Sequence, residues 1–189
     1  MERETERDVT LTTDRLVLRE FREDDWSAVH EYASDPEVVR YMPWGPNSEE
    51  DTRAFIERAL ALRSGDPRKG YEFAVTLRDG GRLIGGCGIH AMSLANRSAF
   101  IGYCFHPDAW GHGYATEAAR ALVEFAIGTL GLHRVAATCD IENAASARVL
   151  EKAGMRREGH FREDALVRGR WRDSYQYALL DHEWKGATP

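Results

Sequence analysis

Ile101-Gly102-Tyr103-Cys104-Phe105-His106-Pro107-Asp108-Ala109-Trp110-Gly111-His112-Gly113-Tyr114-Ala115-Thr116-Glu117-Ala118 is the stretch on which the fold turns. An apolar run closes a strand at Phe105, a short Pro-containing connection follows, and two glycines open a helix. Glycine lets a backbone approach a ligand closely, and the first N–H groups of a helix have no partner within it. Those groups stand at the positive end of the helix dipole, about half a charge, which suits a phosphate. The alternative is that Gly111 and Gly113 only make a tight strand-to-helix turn. A dinucleotide fingerprint matches poorly, because its turn begins directly at the strand end and takes a third glycine. Here residues 106–110 intervene and Thr116 stands where that glycine belongs. A Walker pattern is also missing, since no GK[ST] follows.

Working outward, residues 71–78 and 82–90 read as the arms of a hairpin around Asp79-Gly80-Gly81, and 98–105 as the next strand. Residues 15–21 alternate apolar and charged side chains, the mark of a half-buried strand. Two helices lie between. One carries Trp26, Val29, His30 and Ala33; the other, capped by Asn47 or Ser48, carries Phe55, Ile56, Ala59 and Leu60. The loop Met42-Pro43-Trp44-Gly45-Pro46 parts them, its prolines and glycine excluding regular structure. Downstream come a helix over about 115–130, a strand over 134–140, a helix over 143–153, and strands near 155–163 and 171–181. The order β-α-α-β-β-β-α-β-α-β-β predicts an α/β (α+β) domain over 12–184 with helices on both sheet faces. Residues 1–11 are expected to be flexible and 185–189 to form a tail.

The 189 residues suit one domain, and five Trp, seven Tyr and seven Phe exclude a disordered chain. Against 25 basic residues stand 31 acidic ones, a net charge of −6, so nucleic acid is a poor partner. An anionic ligand must then be held locally against a repulsive global field, which unpaired backbone N–H groups can do. Cys87, Cys104 and Cys139 show no CxxC or CxH spacing, which argues against disulfides and a zinc site and fits the cytoplasm. The charged N-terminus has no signal-peptide apolar core, and no apolar run nears the roughly 20 residues that span a bilayer. The seven His show no HxH or HxxxH pairing, so no catalytic metal is expected.

Trp110-Gly111-His112-Gly113-Tyr114-Ala115-Thr116-Glu117-Ala118, followed by Asn143-Ala144-Ala145-Ser146-Ala147-Arg148-Val149-Leu150-Glu151-Lys152-Ala153-Gly154-Met155, resembles the GNAT N-acetyltransferases of the RimJ/RimL branch. Thr13-Asp14-Arg15-Leu16-Val17-Leu18-Arg19 and Tyr41-Met42-Pro43-Trp44-Gly45 are similar too, so the resemblance covers roughly residues 12–182. It implies a mixed, mainly antiparallel sheet of about seven strands, splayed between the fourth and fifth, with acetyl-CoA in the split. It further implies a pyrophosphate on the N–H groups of Gly111, His112, Gly113, Tyr114, Ala115 and Thr116, beside Trp110. The pantetheine would follow the strand edge at Phe105 and His106 and meet Asn143 and Ser146. Asn143 also suits a helix N-cap, and spacing leaves both roles open. Arg148 and Lys152 are candidate cations near the anion.

Acetyl transfer needs a neutral amine, a stabilised oxyanion and a proton for the departing thiolate. The Tyr that gives this proton in much of the superfamily is Leu150 here. The RimL-like resemblance passes the role to Ser146. Relatives with an acid in the fourth strand have it where this chain has Phe100. His90 is therefore the candidate base, a structural histidine being the alternative, with Glu72 and Tyr175 behind it. Trp44, which also suits a core position, and Tyr103 are candidates for the acceptor side. An α-amine of pKa about 7.8 is about 2.6 units, or roughly 3.5 kcal/mol, easier to deprotonate than a Lys amine at about 10.4. The expected reaction is direct transfer in a ternary complex to a protein or peptide α-amine. Rivals are a small amine (amino acid, polyamine or aminoglycoside-like) or, given Leu150 and Phe100, a degenerate CoA-binding sensor. A monomer or homodimer without nucleic acid or membrane partners is expected.

Overall fold

The computed structural model describes residues 8–186; the first seven residues and the last three, parts of the expected N-terminal segment and tail, lie outside them. The strands are β1 (Thr10–Thr12), β2 (Leu16–Glu20), β3 (Tyr71–Leu77), β4 (Leu83–Ser93), β5 (Ser98–Phe105), β6 (Arg134–Asp140), β7 (Arg156–Val167) and β8 (Arg170–Leu180). The helices are α1 (Trp26–Ala33), α2 (Glu49–Ala61), α3 (Tyr114–Glu124) and α4 (Ala144–Lys152). One sheet holds all eight strands in the order β1-β2-β3-β4-β5-β6-β8-β7. The strand beyond the seven expected is β1. It falls at the end of the segment expected to be flexible, and at three residues it is too short to show a period. Among the described residues no helix is long and apolar enough to cross a membrane.

Local chemistry sets the boundaries. Of the two candidate caps for α2, Ser48 is the one used: its Oγ accepts from the Asp51 N–H at 3.1 Å, and the Asp51 carboxylate accepts the Ser48 N–H at 2.9 Å. The helix expected over 115–130 begins at Tyr114 and finishes as a π-helical turn, Phe125–Thr129, before Gly131.

The sheet has a core on each face. On one side α3 and α4 bury Ala118, Leu122, Val123 and Leu150 against Phe73, Val75, Ile89 and Ile101. On the other, α1 and α2 bury Val29, Tyr32 and Ile56 against Phe21 and Ala74. Every strand pair is antiparallel except β5–β6. That parallel pair holds for only three positions, the last being Phe100↔Ala136. Beyond it β5 stays with β4 as far as Phe105, and β6 stays with β8 as far as Asp140. The sheet therefore splits between β5 and β6, the fourth and fifth strands of the expected order.

Candidate active site

The edge of the split is written by ladder parity. The His106 N–H donates to the Ile84 carbonyl at 2.9 Å, continuing the β4–β5 pairing. Residues alternate in an antiparallel ladder, so Cys104 and Gly102 also face β4 with their backbone groups. Tyr103 and Phe105 are left to direct theirs into the split. The Phe105 carbonyl accepts the Trp110 indole N–H at 2.9 Å. The polar edge is thus Tyr103 and Phe105 rather than the expected Phe105 and His106. The His106 N–H belongs to β4, and its ring Nδ1 accepts from the Asp108 N–H.

Gly111 and Gly113 have φ of +78° and +82°, the left-handed region that other residues enter at a cost. A Cβ on Gly111 would touch nothing within 4 Å, so conformation and not space demands glycine there. The turn leaves the backbone N–H groups of residues 111–116 without an acceptor among the described residues. Arg15 fixes the turn from behind: its guanidinium donates to the His112 carbonyl at 3.0 Å and pairs with Glu117 at 2.7 Å. It also stacks on the Tyr114 ring, which in turn stacks on His112. Burial pushes the Glu117 carboxyl up, but its bonds from Thr13 and Arg15 outweigh this and hold it below its ordinary range. His112 and Tyr114 therefore offer backbone to the split while their rings pack away from it.

Under the α3 N-terminus and α4 lies a cavity of about 470 Å³, lined by Trp110, Gly111, Gly113, Ala115, Thr116, Asn143 and Ser146 and flanked by Arg40, Arg148 and Lys152. His106, His112 and Tyr114 do not line it. The Asn143 side-chain oxygen accepts the Ser146 N–H at 3.0 Å, so Asn143 caps α4. Its amide nitrogen has no acceptor among the described residues, so the cap leaves a donor beside the cavity. Tyr103 Oη lies 2.9 Å from Ser146 Oγ, joining β5 to α4 across the split. Burial raises the Tyr103 phenol well above its ordinary value, with the Ser146 hydrogen bond opposing in part, and keeps it protonated.

A second cavity, of about 630 Å³, opens under α1 and α2. Its floor is glycine: Gly86, Gly88 and Gly102 line it where other strand residues would fill it. A Cβ on Gly88 would stand 2.7 Å from a Glu72 oxygen and 2.9 Å from His90 Cε1. Glu72 and His90 line this cavity as a pair, His90 Nδ1 lying 3.2 Å from Glu72 Oε1. That geometry selects the tautomer with Nδ1–H toward Glu72 and leaves the Nε2 lone pair free. Nε2 lies over Gly102, 3.4 Å from where its Cβ would be. Desolvation, the largest influence, lowers the His90 pKa; the hydrogen bond and charge of Glu72 together overcome it, and the net shift is upward.

Trp44 is half-exposed and lines the same cavity, on its rim and not in the core. Its loop is held from across the chain. Arg168, in the β7–β8 turn, directs its guanidinium at the carbonyls of Val39, Trp44 and Gly45, at 3.1, 2.8 and 2.8 Å. Sequence reasoning passed over this residue, because only folding of the hairpin brings position 168 to position 44. The glycine floor did leave a signal, the run Gly85-Gly86-Cys87-Gly88, which is unusual inside a strand. Tyr175 lies apart, its ring against His160 and under Arg157.

The two cavities share Met42, Tyr103 and Cys104. Burial pushes the Cys104 thiol up to about 12, so the one cysteine common to both cavities stays protonated and non-nucleophilic.

The family model for the acetyltransferase (GNAT) domain matches residues 15–156. An uncharacterized N-acetyltransferase of Bacillus subtilis, YnaD, is 42% identical over 174 residues, covering 92% of this chain and 98% of its own. The [ribosomal protein uS5]-alanine N-acetyltransferase of Escherichia coli is 27% identical, covering 93% of each chain. The crystal structure of a GNAT-family acetyltransferase from Bacillus anthracis superposes with a TM-score of 0.82 at 38% identity, covering 92% of this chain and 99% of its own.

Proposed function

The chain belongs to the GNAT acetyltransferase family, and on that premise we propose that it acetylates a primary amine directly, the α-amine of a protein or peptide being its acceptor class. The observation that carries this is the meeting of two cavities, one beneath the α3 N-terminus and one over a glycine floor, at Tyr103 and Cys104. Acetyl-CoA is the standard cosubstrate of this family and supplies an activated thioester carbonyl with a thiolate leaving group. The unpartnered N–H groups of residues 111–116 fit a pyrophosphate, with Arg40, Arg148 and Lys152 adding positive charge at the cavity wall. Tyr103, Phe105 and the Asn143 amide fit the amide groups of a pantetheine arm.

Ser146 Oγ donates its proton to the departing thiolate, Tyr103 Oη passes its own proton to Ser146 through their 2.9 Å hydrogen bond, and solvent water returns a proton to Tyr103 as the His90 imidazolium releases one. Both hydroxyls are neutral at working pH, as a donor must be. On the amine side His90 Nε2 accepts the proton, directly or through one water, while Glu72 stabilises the resulting imidazolium. The protonated thiol of Cys104 supports direct transfer over a covalent acyl-enzyme. A histidine base, weak against an ammonium of pKa about 10.4, suits an α-amine better than a Lys side chain. The Escherichia coli relative, whose name gives an alanine of a ribosomal protein as acceptor, supports the same class.

Thiol release from acetyl-CoA is the test, across peptides with free N-termini, peptides whose only amine is Lys, amino acids and polyamines. Turnover on α-amine peptides is expected. Preference for the Lys peptide or a polyamine overturns the acceptor class, and binding of acetyl-CoA with no turnover on any amine overturns the catalytic reading. Ser146→Ala is expected to lower kcat with little change in CoA affinity.

A further inference from the structure

We propose that His133, Asp181 and His182 form a binding site for a late first-row divalent cation, with zinc(II) as the probe, remote from the acetyl-transfer split. The site lies at the other end of β6, whose seven residues put roughly 20 Å between it and the mouth of the split. Its parts are 48 residues apart in sequence and meet through strand pairing. The Asp181 N–H donates to the His133 carbonyl at 2.9 Å, extending the β6–β8 ladder one step beyond Arg134↔Leu180. His182 follows in the short 3-10 turn Asp181–Glu183.

Both carboxylate–imidazole spacings match one coordination sphere, and a small ring movement would bring the two imidazoles to the same separation. Asp181 Oδ1 lies 3.0 Å from His133 Nδ1 and 3.4 Å from His182 Nδ1, and one ligand atom from each residue lies within 4.8 Å of the others. A cation about 2.0–2.2 Å from imidazole nitrogen and carboxylate oxygen places its ligands about 3.0–3.5 Å apart at octahedral or tetrahedral angles. The second carboxylate oxygen faces Arg97 Nη2 at 3.8 Å, and that guanidinium is itself anchored on the Gly131 carbonyl at 2.9 and 2.7 Å. Arg97 thus sits behind the carboxylate, as outer partners do that orient a ligand. Two imidazoles and one carboxylate suit zinc, nickel or copper rather than calcium or magnesium, which prefer all-oxygen shells. Both rings are solvent-accessible, which leaves room for water as a further ligand.

The untagged full-length protein is titrated with zinc chloride by calorimetry, and with cobalt(II) by visible absorption, beside His133→Gln, His182→Gln and the control His160→Gln, a histidine paired with Asp173 elsewhere. Saturable one-to-one zinc binding is expected, weakened more than about tenfold by either site substitution and unchanged in the control. A zinc-dependent rise in melting temperature should disappear in the same two variants. His182 is on an exposed turn, so its variant reports even where His133→Gln perturbs folding. No saturable binding up to millimolar zinc, or undiminished affinity in the His182→Gln protein, overturns the site.

Discussion

Arg168→Ala should unlock the Trp44 loop, which we propose lines the acceptor side, without touching the cavity under α3 and α4. The Arg168 Nη2 group faces three carbonyls, of Val39, Trp44 and Gly45, but carries only two hydrogens, so two good charged hydrogen bonds are made at a time. A buried charged bond contributes about 1.5–3 kcal/mol. Arg168 is exposed, which cuts each to about 0.5–1 kcal/mol. The clamp is then worth about 1–2 kcal/mol, or about a 5- to 30-fold change in the loop-opening equilibrium. Two backbone amides report on it: Met42 N–H, bonded to the Val39 carbonyl at 2.9 Å, and Asn47 N–H, bonded to the Ala33 carbonyl at 3.0 Å. Hydrogen exchange at both should accelerate by that factor, and KM for the amine should rise while KM for acetyl-CoA holds. Arg168→Lys should recover only part, because a point charge cannot reproduce the planar fork. Unchanged protection at Met42 and Asn47 would refute the clamp.

Glu72→Gln removes what raises the His90 pKa, so the acidic limb of the kcat/KM profile should move to lower pH; a stationary limb would take the base role from His90. The folded-state pKa of His90 lies above the ordinary value near 6.5, so the Glu72 pair stabilises the fold fully below that value. This contribution is lost as pH rises through the raised pKa, and chemical-denaturation midpoints of wild type and Glu72→Gln should converge at alkaline pH. Gly113→Ala forces a left-handed φ of +82° on a residue that resists it by about 1–2 kcal/mol. CoA binding measured by calorimetry should weaken about 5- to 30-fold, with the amine KM unaffected. Tyr103→Phe keeps the ring but removes the partner of Ser146 Oγ; kcat should fall with little change in CoA affinity, and the loss should not add to that of Ser146→Ala.

Much of this molecule is legible in one dimension because its decisive features are local. The two left-handed glycines before α3, the Ser48 cap of α2 and the Asn143 cap of α4 are each set by neighbours within a few residues. The period changes that mark strands and helices are equally short-ranged. The split was legible through the resemblance, since the glycine turn follows one of the two diverging strands and the Asn143 segment follows the other. Parity along the strand edge was not: Phe105 and His106 read alike in sequence, and only the register with Ile84 shows that His106 faces β4 and Tyr103 faces the split.

The sequence by itself determined the order of elements, the helix N-terminus that suits an anion despite a net charge of −6, and the placing of Ser146 one helical turn before Leu150. Tertiary structure decided which partner each of these acquires. Glu72 pairs with His90, Tyr103 links to Ser146, Arg168 reaches the Trp44 loop, and His133 meets Asp181. Each of these pairs is separated by between 18 and 124 residues. A side chain's chemistry is carried by its residue type, but its pKa and hydrogen-bond partners are properties of the space around it. That space exists only once β-strands far apart in the chain have found their register.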